Sequence, residues 1–498
     1  MAILPAMIPM TLADIAAVVR GTVCDGDPRA TVTAPVRYET DRVEPGGMFA
    51  AFAGSRRDGH DFAEQVIAAG ATAVLASRPV GVPAVVVDDV RDAYWLLATE
   101  VISRLPALRR IAVTGSSGKT STKDLLGQVL GRLGPTVAPP GNRNNELGVP
   151  ETVLLATAES RFLVSELGAR HVGDIAALMP VVRPEIGVVL GVGSAHIGEF
   201  GGRDAIVRAK SELVEALPEN GVAVLNADDP AVTAMAERTR ARVVTFGRSS
   251  SARIRAERVV IDGLARPRFR LRTPAGVAEV TLRLHGEHFV TAALAAAAVA
   301  LEYTHDIWLV ADALSAAVPV SAGRMRVTDR PDGVTILDDA YNANPESMAA
   351  GLHTLATVAG GRRRTVAVLG QMYELGEESA EAHREVGRLA IRLGIDTVIT
   401  VGGEDAALLS ETALGGPPDD DVLRADAPVF RAAGVTAEHF PDREAAARRL
   451  NEVLEPGDVV LIKGSNGVGL SGLGDLLADE DQSIRSAPPS TGSMMPVR

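Results

Sequence analysis

The segment Arg110–Thr120 restricts the fold more than any other part of this chain. Arg110–Thr114 is a short apolar run that predicts a buried strand, and it leads directly into a glycine- and serine-rich turn. Apolar side chains then recur at helical spacing, at Leu125, Leu126, Val129, Leu130 and Leu133. A strand that passes through a tight turn into a helix opens a strand–helix–strand unit, so this segment predicts a parallel sheet covered by helices.

The same alternation of strand and helix continues along the chain. Further short apolar runs that predict strands are Phe162–Val164, Ile186–Leu190, Val222–Leu225 and Val243–Phe246. Arg253–Leu284 instead alternates apolar and charged residues, which predicts an antiparallel insertion or edge. An alanine-rich helix follows at Thr291–Glu302, and after a linker at Pro319–Gly323 the strand–helix rhythm begins again.

Length and composition indicate an α/β protein of three domains. The chain has 498 residues, which at roughly 100–200 residues per domain gives about three. Hydrophobic residues make up 46% and aromatic residues only 3%, so alanine, valine and leucine must build the cores. We expect a small α/β domain at 1–105, a central parallel-sheet α/β domain at 106–322 and a second open α/β sheet at 323–480, with a disordered tail at 481–498.

Charge and composition argue against several classes of protein. The formal net charge is −13 and no block of basic residues is present, so nucleic-acid binding is not expected. Cys24 is the only cysteine, which excludes an intrachain disulfide and a cysteine metal cluster. The amino-terminal residues lack the pattern of a signal peptide, and the longest apolar run, Ala292–Leu301, is too short to span a bilayer. We therefore expect a cytoplasmic protein without a membrane partner, acting as a monomer on small molecules.

The turn after the first central strand has the composition of a phosphate-binding loop. Its glycines let backbone N–H groups approach phosphate oxygens, the following helix adds positive character, and a lysine and a threonine can meet the β/γ oxygens and Mg²⁺. Val113 stands where the usual pattern has its first glycine, and a plain turn at a helix start is the alternative. The candidate nucleotide-binding residues are Gly115, Ser116, Ser117, Gly118, Lys119, Thr120 and Ser121.

Two further side chains follow predicted strands, where open α/β sheets place their ligands. Glu166 ends the strand that begins at Phe162, and His196 follows the strand Ile186–Leu190. Either could hold a metal ion, although a solvated carboxylate and a structural histidine are the ordinary alternatives.

Lys210 has an unusual position for a cation. It lies four residues after Ile206 and four before Val214, on the apolar face of the predicted helix Ala205–Leu217. The lysine either extends its ammonium group to solvent or has a functional role in which its charge is changed.

Polar loops follow strands in both the central and the last domain. Asn144 and Asn145 lie in one such loop, and Asp338–Pro345, which contains Asn342 and Asn344, forms the other. Polar loops from two domains are typical of a ligand cleft between them.

At this point the chain resembles a known family, the Mur ligases, over about residues 8–480. Among them it is most similar to the members that add D-alanyl-D-alanine to a UDP-muramoyl-tripeptide, because of Tyr341–Pro345 and Gly370–Gly376. The motifs that carry the resemblance are Thr114–Ser121, Asn144-Asn145 with Gly148 and Pro150, Glu166–Gly168, Gly193–His196, Arg208–Leu213, Asn226–Asp229, Gly323–Met325 and Asp339–Pro345.

The resemblance implies an ATP-dependent amide ligase of peptidoglycan precursor synthesis that works through an acyl phosphate. It implies that the first domain binds the UDP-sugar. The central domain would be P-loop ATPase-like and bind ATP, and the last domain would be Rossmann-like and bind the dipeptide. Lys119, His196 and Lys210 would be catalytic, and two Mg²⁺ ions would be held by Thr120, Glu166, His196 and a carbamylated Lys210. Arg324 and Asp339 would contact the nucleotide. The substrate contacts would be Thr40, Asn144, Asn145, Asn342 and Asn344.

Four positions depart from the family pattern. Glu39-Thr40-Asp41 with Arg42 replaces the usual Asp-Ser-Arg, and Ala292 replaces an asparagine expected near adenine. Asn466 replaces an arginine, and the loop Gly141–Arg143 is unusual ahead of Asn144. These changes leave two alternatives open, namely a related ligase acting on another carboxylate and amine, and a nucleotide-binding protein without catalysis.

Overall fold

A computed structural model describes residues 7–54, 57–415 and 435–479 of the chain. The tail expected at 481–498 lies outside these residues. Three sheets of five or more strands, together with a two-stranded ribbon, form the framework, and helices cover the sheets. The predicted α/β class with three domains is confirmed.

The first sheet belongs to the amino-terminal unit. Its elements are β1 Met10–Thr11, α1 Leu12–Val19, β2 Thr22–Cys24, β3 Thr31–Val32, β4 Val36–Arg37, β5 Met48–Ala50, α2 Ala63–Ala68, β6 Ala73–Ala76, β7 Ala84–Val86 and α3 Val90–Arg104. The strand order is β2-β7-β6-β5-β4, while β1 pairs with β3. Helix α3 packs against the following domain, because its residues share a buried cluster with Val153 and Leu154.

The central unit contains a nine-stranded sheet. Its elements are β8 Arg109–Thr114, α4 Lys119–Gly131, β9 Thr136–Val137, α5 Gly148–Leu154, β10 Phe162–Glu166, α6 Asp174–Val182, β11 Ile186–Val189, α7 Ile197–Phe200, α8 Arg203–Glu215, β12 Val222–Asn226, α9 Pro230–Ala234, β13 Arg242–Gly247, β14 Ile254–Ile261, β15 Pro267–Thr273, β16 Gly276–Thr281, α10 Phe289–Ala300 and α11 Ile307–Ala316. The order is β16-β15-β14-β13-β12-β11-β8-β10-β9.

The directions of these strands match the sequence pattern. The strands from β9 to β13 run parallel, whereas β14, β15 and β16 pair antiparallel, as the alternation in Arg253–Leu284 predicted. Helix α10 packs closely on α4 and is almost wholly buried, because its alanines leave little space between backbones.

The last unit is a six-stranded sheet. Its elements are β17 Arg326–Asp329, β18 Thr335–Asp339, α12 Pro345–Ala359, β19 Thr365–Gly370, α13 Ser379–Arg392, β20 Thr397–Val401, α14 Glu404–Leu414, β21 Thr436–Phe440, α15 Arg443–Val453, β22 Val459–Lys463 and α16 Leu473–Ala478. The order is β17-β18-β22-β19-β20-β21, and only β17 is antiparallel to its neighbour.

The linker before this unit is fixed to the central domain. Ser321 N–H donates to Asp124 Oδ2 at 3.2 Å, and Gly141 N–H donates to Ser321 Oγ at 2.8 Å. The linker is therefore attached both to helix α4 and to the loop that leads to Asn144. None of the helices in the described part of the chain combines the length and the apolar character needed to cross a membrane.

The β14–β15 hairpin offers a matched test of the core. Leu271 is fully buried, whereas Leu264 at the turn is 47% exposed. We expect Leu271→Ala to lower the free energy of unfolding by about 2–5 kcal/mol, because it leaves a cavity. Leu264→Ala should change it by less than about 0.5 kcal/mol. Urea unfolding followed by circular dichroism measures both, and equal losses would contradict the assigned burial.

Candidate active site

Three neighbouring strands bring the predicted site residues to one edge of the central sheet. Strand β8 lies between β10 and β11, with Val113 opposite Glu166 and Thr114 opposite Val189. All three strands run in the same direction, so the loops that follow them meet. The phosphate-binding loop is therefore flanked by Glu166 on one side and by the loop to His196 on the other.

The phosphate-binding loop is held by its own backbone. Ser116 N–H donates to Gly191 O at 3.0 Å, and a Cβ on Gly115 would lie 2.9 Å from the Cβ of Leu190. Gly118 has a φ of +80°, and helix α4 begins directly after it. The first N–H groups of a 13-residue helix therefore point out of the loop, as anion binding requires.

Cationic side chains converge on this loop. Lys119 Nζ donates to Gly115 O at 2.7 Å, and Arg324 Nη2 donates to Thr120 Oγ1 at 3.0 Å. Burial lowers the pKa of the Lys119 ammonium, Glu166 opposes that shift, and Arg324 adds to it. Arg324 also stacks on Tyr341, with the guanidinium carbon 4.3 Å from the ring centre. Arg324 directly follows the linker, and Tyr341 follows β18. Side chains of the last domain therefore reach the phosphate-binding loop.

Glu166 has one carboxylate oxygen without a partner. Its Oε1 accepts a hydrogen bond from Asn144 Nδ2 at 2.8 Å, while Oε2 is buried and accepts none within the described residues. The residue as a whole is only 2% exposed. A buried carboxylate oxygen left unpaired is costly, and a cation would remove that cost.

Lys210 is buried on helix α8, as its spacing predicted. It is 3% exposed and lies on the same face as Ile206 and Val214, which are fully buried. Burial, with the Lys119 charge adding to it, lowers the pKa of Lys210 to about 7. In the part of the chain that the structure describes, its Nζ forms neither a hydrogen bond nor an ion pair.

The distribution of lysine supports a special role for these positions. Only four of the 50 basic residues are lysine, namely Lys119, Lys123, Lys210 and Lys463. Three of them are at most 3% exposed, and Lys119 is half-buried. The chain has arginine at its surface and lysine in its interior. A lysine amine is compact and can lose its proton when buried, whereas an arginine guanidinium stays charged.

The donor set fits a magnesium ion beside a nucleotide. A threonine hydroxyl and the unpaired Glu166 oxygen are hard oxygen ligands of the kind that Mg²⁺ prefers. Lys210 becomes a ligand only if its amine is converted to an anion.

His196 is contacted by a residue from the last domain. Its Nδ1 lies against Oε2 of Glu374, which comes from the loop after β19. Arg170 reaches the other Glu374 oxygen at 3.3 Å and Glu199 at 3.2 Å. The motif Gly370–Gly376 was noted in the sequence without a role for Glu374, because no local pattern connects it to His196.

A second contact joins the same two domains. Glu346, in the first turn of α12, accepts hydrogen bonds from Ser194 N–H at 2.9 Å and from Ser194 Oγ at 3.0 Å. Together with the contacts of Arg324 and Glu374, this pair shows that the last domain covers the loops of the central sheet.

Several predicted substrate and nucleotide contacts have structural partners. Asn145 Oδ1 accepts from Gly148 N–H at 2.9 Å, and Asn344 Oδ1 accepts from Ser347 N–H at 2.8 Å as the N-cap of α12. Asp339 accepts from Lys463 Nζ at 2.6 Å and from Met325 N–H at 3.1 Å. Asn342 is exposed in the same loop. Their predicted contacts with ligands stay predictions.

The altered positions of the first domain form one network with the unusual loop. Arg143 contacts the Tyr38 hydroxyl at 2.7 Å, Glu39 at 2.7 Å and Glu151 at 3.2 Å. Arg42 also pairs with Glu39, at 2.8 Å. The departure at Glu39–Arg42 and the departure in the loop Gly141–Arg143 therefore contact each other and join the first and central domains.

This network borders a cavity between the two domains. The cavity has a volume of about 490 Å³, and Arg37, Arg42, Arg143 and Glu151 contribute to its lining. Thr40 lies half-buried in the single helical turn Thr40–Arg42 beside it.

The other two altered positions lie elsewhere. Ala292 is buried in α10 and offers no polar group to a base. Asn466 is exposed after β22, and Lys463 of the same segment is engaged by Asp339.

Family comparisons cover most of the chain. The Mur ligase family catalytic domain matches residues 36–114, the Mur ligase middle domain matches residues 113–300, and the Mur ligase glutamate ligase domain matches residues 323–466. The chain is 48% identical to the UDP-N-acetylmuramoyl-tripeptide–D-alanyl-D-alanine ligase of Mycobacterium tuberculosis, over 95% of this chain and 99% of that protein. The ligase of the same name from Escherichia coli is 36% identical, over 93% and 97%.

Solved structures agree with the sequence comparisons. MurF from Acinetobacter baumannii superposes with a TM-score of 0.80 at 31% identity, covering 95% of this chain and 100% of that one. MurF ligase from Thermotoga maritima in complex with ADP gives a TM-score of 0.72 at 28% identity, covering 89% and 97%. Shared fold, motif spacing and near full-length identity lead to one conclusion: the chain belongs to the Mur ligase family, as a member of its MurF type.

Proposed function

We propose that this protein joins D-alanyl-D-alanine to UDP-N-acetylmuramoyl-tripeptide at the expense of ATP, in peptidoglycan precursor synthesis. The observation that carries the proposal is the convergence of Lys119, Glu166 and Lys210 beneath a last domain whose Arg324 reaches Thr120. The names of the full-length relatives support the same substrates.

The reaction needs two displacements. The terminal carboxylate of the tripeptide attacks the γ-phosphorus of ATP, the bond to the β-phosphate oxygen breaks, and an acyl phosphate and ADP result. The amine of the dipeptide then attacks the acyl carbon, inorganic phosphate leaves and the amine loses its proton. Both steps concentrate negative charge, so the enzyme acts chiefly by positioning and by charge neutralisation.

The residues of the chain divide this work. The N–H groups at the start of α4 and Lys119 hold the phosphates, and Arg324 adds a positive charge when the last domain closes. Mg²⁺, when bound, screens the phosphate charge, and Thr120, Glu166 and His196 are the residues that would hold it. Asp339 positions Lys463 at the edge of the last domain, near the dipeptide side of the cleft.

Lys210 is proposed to act as a carbamate. A pKa of about 7 leaves much of the amine neutral near pH 7, and the neutral nitrogen can add to the carbon of CO₂ with loss of a proton. The product is an anion that would support a second Mg²⁺. This conversion accounts for a lysine that is buried without a partner beside Lys119.

The departures at Arg42 and Arg143 do not favour another substrate pair. They pair with Glu39 and Glu151 and keep arginines on the cavity between the domains. We propose that this cavity binds the UDP-sugar part of the substrate. We also propose that all site groups come from one chain, which acts as a monomer, and that the enzyme works in the cytoplasm. Size-exclusion chromatography with light scattering tests the oligomeric state.

Phosphate release tests the proposed substrates. We expect release from ATP and Mg²⁺ only when UDP-muramoyl-tripeptide and D-alanyl-D-alanine are both present, with the ligated product seen by mass spectrometry. Omitting either substrate is the control. Tight ATP binding without release or product would redirect the search to other carboxylates and amines.

Lys119→Ala tests the phosphate-binding loop. We expect turnover to fall at least about 10²–10³-fold, because a preorganised cation is lost from the transferred phosphate. Arg132→Ala, at a half-exposed ion pair just beyond α4, should leave turnover near the wild-type value. Near-normal turnover in Lys119→Ala would remove the assignment.

Lys210→Ala tests the proposed carbamate. We expect a loss of about 10²-fold or more with partial recovery on adding acetate or formate, since a small carboxylate can replace the missing anion. In wild-type protein given ¹³C-bicarbonate, a carbamate carbon signal should appear by NMR and should be absent from the variant. Full activity of the variant without any anion would contradict the role.

A further inference from the structure

A row of polar side chains on helix α4 contacts the segment that connects α11 to β17. The row consists of Thr120, Asp124 and Gln128, which are four residues apart and therefore lie on one face of the helix. Their partners in the connecting segment are, in the same order, Arg324, Ser321 and Val318. The order along the chain is reversed, so the segment runs antiparallel to α4 and ends at the phosphate-binding loop.

Gln128 makes the first contact of the segment with α4. Its Nε2 donates to the carbonyl oxygen of Val318 at 3.0 Å, and its Oε1 accepts from Val318 N–H at 3.0 Å. One side chain therefore pairs with both polar backbone groups of a single residue. A shift of the segment by one residue would break both hydrogen bonds at once, so this contact fixes which residue lies at the end of α4.

Asp124 makes the second contact and is held from its other side. Its Oδ2 accepts from Ser321 N–H at 3.2 Å, and its Oδ1 lies 2.7 Å from Nζ of Lys123. The Lys123 and Asp124 side chains are only 3% and 7% exposed, so the middle of the segment is attached to a buried ion pair. A single contact leaves the segment free to turn about it, and the contact at Gln128 fixes its direction along the helix.

Apolar packing gives residues 318–321 little support. Val318 and Val320 are 46% and 44% exposed, whereas Ser321 is buried. The Ser321 hydroxyl accepts from Gly141 N–H at 2.8 Å, so this buried side chain too is held by a polar contact. The position of these residues therefore depends on hydrogen bonds, above all on those to the polar row of α4.

Arg324 lies where the segment reaches the phosphate-binding loop. Its Nη2 donates to Thr120 Oγ1 at 3.0 Å, while its Nε is buried and has no partner within the described residues. Gly323 and Met325 on either side have left-handed φ values of +63° and +53°, so the chain turns sharply at this point. A buried N–H without a partner is costly, and a phosphate oxygen of the nucleotide would satisfy it.

We propose that Gln128 is a positioning residue for the phosphate-transfer step: it fixes the register of residues 318–324 along α4 and so places the Arg324 guanidinium at the phosphate-binding loop. The inference rests on the proposed function, in which Arg324 neutralises charge on the transferred phosphate. A residue that acts only through Arg324 loses its effect when Arg324 is removed, whereas a residue that supports general stability keeps it.

The same face of α4 supplies a matched control. Arg132 is four residues beyond Gln128 and pairs with Asp312 of α11, outside the linker, at 3.1 Å. Gln128→Met and Arg132→Met therefore each remove one polar contact from this face and leave an unbranched side chain. Gln128→Glu is an intermediate variant, because a carboxylate can accept from Val318 N–H but cannot donate to the Val318 carbonyl oxygen.

The kinetic test measures phosphate release by the full-length protein from MgATP, UDP-muramoyl-tripeptide and D-alanyl-D-alanine. We expect kcat to fall about 10-fold in Gln128→Met, because a small displacement of a charge-neutralising group is costly, while KM for ATP changes less than about twofold. Gln128→Glu should lose less, and Arg132→Met should match wild type. In an Arg324→Met background, Gln128→Met should cause no further loss.

Amide hydrogen exchange tests the placement of the segment without turnover. Val318 N–H and Ser321 N–H both donate to α4, so their exchange should be slow in wild type and in Arg132→Met. In Gln128→Met we expect exchange at Val318 to be about 10-fold faster, because its partner is lost.

Three results would overturn the proposal. One is a kcat of Gln128→Met equal to that of Arg132→Met. Another is an equal loss from Gln128→Met with and without Arg324, which would make Gln128 a contributor to general stability. The third is unchanged exchange at Val318 in Gln128→Met. Wild type that releases no phosphate, with exchange as expected, would instead count against the proposed substrates and leave the placement of the segment supported.

Discussion

The position of β8 between β10 and β11 is the constraint on which the site depends. Parallel pairing places Glu166 opposite Val113 and Val189 opposite Thr114, so three loops of unrelated sequence must meet at one edge. The order of strands, rather than any single side chain, therefore brings a helix start, a carboxylate and a histidine to the same edge of the sheet. Buried apolar strands hold this register, because a shift by one residue would turn their side chains to the wrong face.

A small number of polar contacts between the last domain and the central domain complete the arrangement. Arg324 meets Thr120, Glu346 meets Ser194, and Glu374 meets His196. Each pair joins a side chain of the last domain to a loop of the central sheet or, at Thr120, to the first turn of α4. The linker is also held to the central domain, since Ser321 forms hydrogen bonds with Asp124 and Gly141.

Sequence patterns predicted what local periodicity controls. The strands, the phosphate-binding loop and the apolar face around Lys210 follow from spacing, and the structure agrees with them within a few residues. The helix start at Asn344 could also be predicted from the sequence, because an asparagine followed by a proline is typical of the first residues of a helix. The cap uses Oδ1 of Asn344, and the predicted substrate contact of this residue stays a prediction.

The contacts between domains could not be predicted in this way. Glu374 and His196 lie far apart in the chain, and their meeting depends on the orientation of two domains, for which one sequence has no periodic signal. The same holds for Arg143 with Glu39. Each looks like an isolated departure from the family pattern, and only their 2.7 Å contact reveals that they belong together.

The account rests on one metal–nucleotide site formed by the ends of β8 and β10, and binding of Mn²⁺ tests it most directly. Electron paramagnetic resonance can follow Mn²⁺ added with ADP to wild type and to Glu166→Gln, which keeps the shape of the side chain and removes its charge. We expect the nucleotide-dependent bound signal in wild type and its loss or strong weakening in the variant, while ADP still binds. An unchanged Mn²⁺ signal in Glu166→Gln would contradict the site.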